Sequence, residues 1–182
     1  MKKIQYYSRV FKMLCYIAFI GMPVILIAFW LNPFGMGGDI SQSMWYLFSN
    51  LPISAGVAMQ KWELSTRLYA IVINFIPLGF NMAIAYSLAK LFNCYQHGQI
   101  FAERNARYIR LIGRLMLAKA LIIPTIYQAL ITVDLTWHNP PGQRLMNMSL
   151  NISNIVIAII VIMISWIMLE AAKLKLEQEY TV

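Results

Sequence analysis

The stretch "LYAIVINFIPLGFNMAIAYSLA", residues 68–89, carries no charged side chain. A helix rises about 1.5 Å per residue, so this run covers about 33 Å, enough to cross the ~30 Å hydrocarbon core of a bilayer. It lacks the polar–apolar alternation of a barrel strand. Three more runs read the same way: Met13 to Leu31, Leu111 to Val133 and Leu150 to Leu169. The sequence predicts an all-α integral membrane four-helix bundle, one membrane domain over residues 1–182.

Composition agrees. Hydrophobic residues make up 60% of the chain and charged residues 12%, against about 25% charged in a soluble domain. No room is left for a soluble catalytic domain beside the spans. The first run follows a basic start and resembles a signal peptide, but it is too long and ends in the bulky "AFWLNPFG", where cleavage needs small residues. It is read as a retained span.

Basic residues give the expected direction. Eleven Lys and Arg flank one side: Lys2, Lys3, Arg9, Lys12, Lys90, Arg104, Arg107, Arg110, Arg114, Lys173 and Lys175. Three flank the other: Lys61, Arg67 and Arg144. By the positive-inside rule both termini and the central hinge are expected in the cytoplasm, with the chain crossing the membrane several times. The outer loop from Asn32 to Thr66 is too long for a plain turn. Ser41, placed before an apolar-aromatic run, predicts a short interfacial helix there.

Polar residues inside the spans are the first candidate site. Lys119 lies eight residues past Leu111 and Asn81 eight before Ala89, so both are expected about 12 Å from the inner face. Asn81 is the expected hydrogen-bond neighbour of Lys119, and Glu170 its expected counter-ion. Asn74 and Gln128 fall at similar depths in the outer half and are expected to bond each other. Pro23, Pro77 and Pro124 share one level, each removing a backbone N–H.

The second candidate site is the hinge, "LFNCYQHGQIFAERNARYIRLIGR", residues 91–114. Glu103, Arg107, Arg110 and Arg114 recur at steps of four, three and four, which puts them on one helix face. With Arg104 they form a basic surface suited to anionic lipid headgroups or an acidic protein partner. Glu177 and Glu179, in a tail expected to prolong the fourth helix, are placed to meet it. A nucleic-acid role lacks any binding motif, and headgroups compete for the same arginines.

The hinge also resembles a signature of a bacterial membrane-protein family catalogued as domain of unknown function 2975. The matching positions are Leu91, Phe92, Tyr95, Gly98, Ile100, Phe101, Asn105, Arg110 and Gly113, with "NPPGQR" (residues 139–144) and the tail "LEAAKLKLEQEYTV" (residues 169–182). The resemblance implies a small four-helix membrane protein, encoded in many members beside a small helix-turn-helix regulator. It brings no catalytic residues. Lys119 departs from an otherwise apolar third span.

An enzyme is not expected. His97 and His138 fall on opposite sides of the membrane, and no nucleophile triad, paired carboxylate or CxxC occurs. No cofactor or metal is expected, and Cys15 and Cys94 read as small core hydrophobes. Two function classes stay open. One is a non-catalytic membrane protein that binds or restrains a cytoplasmic partner. The other is a small transporter or channel, oligomeric because four helices enclose little polar volume.

Overall fold

The computed structural model describes residues 2–31, 64–100, 102–136 and 150–180. The short interfacial helix expected after Ser41 and the stretch around Arg144 lie outside the described residues. Helix α1 runs Lys2–Leu31 and α2 Leu64–Gln96. Helix α3 is α-helical over Glu103–Ile122, forms a π-turn over Ile123–Tyr127, and is α-helical again over Gln128–Thr136. Helix α4 runs Ile152–Tyr180. No strand occurs among the described residues. The all-α four-helix arrangement read from the sequence is therefore the one found, each helix long and apolar enough to cross a membrane.

The helices outrun their apolar cores. The extra turns precede Met13 in α1, follow Ala89 in α2, precede Leu111 in α3 and follow Leu169 in α4. These are the charged ends. Along the apolar parts, large side chains face outward: Ile17 and Ile167 are each 67% exposed and Val72 66%. Water would penalise such continuous apolar faces, whereas hydrocarbon accepts them. The protein is built as a multi-pass membrane protein.

Two compact units divide the chain: Met1–Ile20, Phe80–Ala120 and Asn151–Val182 form the first, Gly21–Gly79 and Leu121–Leu150 the second. In the first unit, α3 buries Ala106, Gly113 and Ala120, and α4 buries Ala158, Ser165 and Ala172. Both sets step by seven residues, two helical turns, and both are small. Small seams let helix backbones approach closely where no hydrophobic effect drives association. At Gly113 an added Cβ would stand 2.6 Å from Ile162 Cγ1, 3.1 Å from the Ile162 backbone N and 3.3 Å from Val161 Cγ1. Ser165 sits in the same seam and donates its hydroxyl to the Ile162 carbonyl at 2.6 Å, so it brings no unmet polar group.

The second unit contains the π-turn. Pro124 can neither donate a backbone hydrogen bond nor tolerate the regular helical approach of the carbonyl four residues earlier. The wider turn accommodates it. Thr125 donates its hydroxyl to the Leu121 carbonyl at 2.6 Å, and Thr132 donates to that of Gln128 at 2.6 Å. Pro23 and Pro77 lie within α-helical stretches.

Because backbone lies opposite Gly113, Gly113→Ala is expected to lower stability by about 1–3 kcal/mol. Adding Ile162→Val is expected to recover only part of that loss, since the backbone contact stays. Thermal unfolding in detergent or nanodiscs measures both.

Candidate functional site

The hinge is built by a helix stop. Gly98 has φ of +76°, a left-handed conformation that favours glycine. Its N–H donates to the Tyr95 carbonyl at 3.0 Å, and the Gln99 N–H reaches back to the Cys94 carbonyl at 3.2 Å. These paired bonds are a Schellman motif, which satisfies the last carbonyls of α2. His97 is exposed and donates from Nδ1 to the Asn93 carbonyl at 2.8 Å. Asn105, fully buried in the first turn of α3, then closes the loop. Its Nδ2 donates to the carbonyl of Ile100 at 2.8 Å and also to that of Gln99.

Helix α1 is held against this end of α2. Lys12 Nζ donates to Gln96 Oε1 at 2.7 Å and Asn93 Oδ1 at 3.3 Å. Phe11 stacks on Phe92 with centroids 5.3 Å apart. The sequence reading counted Lys12 only as an orienting charge. The signal it missed was the three-residue spacing of Asn93 and Gln96, which sets both amides on one face of α2.

The arginines divide. Arg107 bonds Glu103 Oε1 at 2.7 Å, with side chains 72% and 55% exposed, so the pair adds little stability. Arg104 donates to Tyr108 Oη at 3.3 Å and lies over its ring at 5.8 Å. Arg114 is exposed. Arg110 is half-buried, and its Nε is enclosed without a hydrogen-bond partner among the described residues. The basic face therefore consists of Arg104, Arg107 and Arg114, with Arg110 at its edge. Glu177 is exposed on the last turns of α4, and the side chain of Glu179 lies outside the described residues.

Inside the spans, Lys119 Nζ donates to Asn81 Oδ1 at 2.7 Å, the neighbour expected from depth. Glu170 is not its counter-ion. That carboxylate is exposed and pairs with Lys173 at 3.5 Å on its own helix, just past the apolar run that ends at Leu169. The pairing of Asn74 with Gln128 is also corrected. Asn74 Oδ1 accepts from the Tyr127 hydroxyl at 2.9 Å, and its Nδ2 donates to the Ala70 carbonyl at 2.8 Å. Seven residues separate Asn74 from Asn81 on α2, whereas eight separate Lys119 from Tyr127 on α3. The π-turn takes up the odd residue and brings Tyr127 to Asn74.

Charge is unevenly shared. The first unit holds twelve Lys and Arg against four Glu, so its net charge equals the +8 of the whole chain. The second holds three basic and three acidic residues. Among the described residues no three His, Cys, Asp or Glu gather where they could hold a metal ion.

The family described as "Protein of unknown function (DUF2975)" matches residues 5–182. The chain belongs to the DUF2975 family. No curated protein and no solved structure matches it. Five of the residues that carried the resemblance have structural roles here: Gly98 and Asn105 build the turn, Leu91 and Phe92 pack, and Gly113 admits α4.

Replacing Asn105 with Ala leaves two loop carbonyls without their donor, at an expected cost of about 1–3 kcal/mol. Hydrogen exchange at 98–106 should then rise while the amides of 112–122 keep their protection. Unchanged exchange at the turn would show that Asn105 does not hold it.

Proposed function

We propose that this chain is a non-catalytic protein of the bacterial inner membrane, with both termini and the hinge in the cytoplasm, that binds and restrains an acidic cytoplasmic partner. The docking face is the basic hairpin between α2 and α3, with the C-terminal turns of α4 at its border. A small helix-turn-helix regulator is the kind of partner proposed. The observation that carries the reading is the concentration of the net +8 in one unit, with Arg104 and Arg114 exposed and in no salt bridge among the described residues. Those arginines stand on α3, whose start is fixed by the turn at Gly98 and Asn105, so little ordering cost opposes docking. Their charge also favours anionic headgroups, which keep the hinge at the membrane surface.

A second reading, a small oligomeric transporter, draws on the Lys119–Asn81 contact inside the spans. Solute flux in proteoliposomes separates the two.

The test is co-purification from the native bacterium, with cysteine labelling of the hinge to establish its side. One stoichiometric cytoplasmic protein should accompany the wild type. Replacing Arg107, Arg110 and Arg114 together with Gln should weaken the complex by about 1–3 kcal/mol, roughly 5- to 150-fold in Kd. Helix content should be retained. Full retention of the partner by the triple variant, or labelling of the hinge from the outer side, would contradict the proposal.

A further inference from the structure

Lys119 is held but not neutralised. Its ammonium has three N–H donors, and one goes to Asn81 Oδ1 at 2.7 Å. An amide oxygen aims the ammonium without cancelling its charge. Among the described residues no carboxylate comes within 4.0 Å of it, and Glu170 is committed to Lys173. The sequence explains why. Residues 13–31, 68–89, 111–133 and 150–169 contain no Asp or Glu. A second copy of the chain would bring the same apolar spans, so self-association supplies no counter-charge at this depth either.

The donors converge. Asn81 turns its oxygen to Lys119, which leaves its Nδ2 without a hydrogen-bond partner among the described residues. Two neighbouring helices thus present the remaining ammonium N–H groups and an amide N–H side by side, and no acceptor among the described residues meets them. Lys119 and Asn81 are each only half-buried, so an outside group can reach both. The arrangement complements an oxyanion that accepts several hydrogen bonds while it cancels one positive charge. Unpaired, a charge in a span is costly; paired with such an anion, it is a binding site.

We propose that Lys119 and Asn81 form a binding site for a single phosphate-type anion inside the membrane boundary. Its shared chemistry is that of a lipid phosphodiester or inorganic phosphate. Position favours the lipid. Lys119 lies about 12 Å past Leu111, and helical side chains lean toward the N-terminal end, here the boundary, so its ammonium reaches back toward the headgroups. The site is separate from the arginine face: five residues from Arg114 to Lys119 place them about 140° apart around α3. It does not depend on any cytoplasmic partner.

The experiment uses the full chain with Arg104, Arg107, Arg110 and Arg114 all replaced by Gln, so that the arginine face of the hinge does not contribute. Nanodiscs are made from phosphatidylcholine, from phosphatidylcholine with phosphatidylglycerol, and from phosphatidylcholine with inorganic phosphate in the buffer. The readouts are the thermal midpoint and the lipid retained in native mass spectrometry. Phosphatidylglycerol should raise the midpoint and be retained, and Lys119→Met should lose both effects. Asn81→Asp places a carboxylate beside the ammonium, so it should fold, lose retained phosphatidylglycerol and lose the lipid-dependent rise. It also keeps the test decisive if Lys119→Met fails to insert. A rise produced by inorganic phosphate alone, and abolished in Asn81→Asp, would assign the site to a soluble anion. A phosphatidylglycerol effect that survives in Asn81→Asp, or no anion effect before either substitution, would overturn the site.

Discussion

The hydrogen bond between Lys119 and Asn81 joins a cation in one apolar helix to an amide in another. Hydrocarbon offers no water to either group, so their meeting constrains how α2 and α3 pair. Asn81 is 15 residues before Gln96, the end of α2, and Lys119 is 16 residues after Glu103, the start of α3. An antiparallel hairpin with a tight turn brings those positions level. The turn supplied by Gly98 and Asn105 is therefore part of the same constraint. The serines Ser87 and Ser165 answer the problem within their own helix: Ser87 donates to the Ala83 carbonyl and Ser165 to that of Ile162.

Much of this was legible in the sequence because hydrophobic length and depth are simple rulers. Four uncharged or nearly uncharged runs predicted four helices, and equal distances from the hinge predicted that Asn81 and Lys119 meet. The rulers failed where depth was combined with residue type. Gln128 was chosen as an amide at the depth of Asn74, yet its chain neighbour Tyr127 is the partner. Glu170 was chosen for its charge, yet a neighbour one turn away on α4 was nearer than any group in the span. The seam at Gly113 depends on which faces meet, which hydropathy does not encode.

The candidate site was half legible. Steps of four, three and four placed the arginines on one face, and Arg107 and Arg114 are exposed there. Burial of Arg110 depends on a neighbouring surface and was invisible to spacing alone. Two of the residues that carried the resemblance around the basic hinge, Gly98 and Asn105, set how the chain reverses direction. Chemistry in the basic unit is then carried by residues displayed on that scaffold, with cations held by amide oxygens at Lys12 and Lys119 rather than by acids. Such a unit keeps its positive charge available to anions, whether lipid or protein.

The account rests on a direct energetic link between α2 and α3 inside the spans. A double-mutant cycle with Lys119→Met and Asn81→Leu, read by reversible unfolding in one fixed lipid composition, measures that link. The predicted coupling is about 0.6–2 kcal/mol, the range of interhelical hydrogen bonds in membranes. Additivity of the two substitutions to within about 0.3 kcal/mol would show that the residues act independently, and would contradict the pairing on which the hairpin depends.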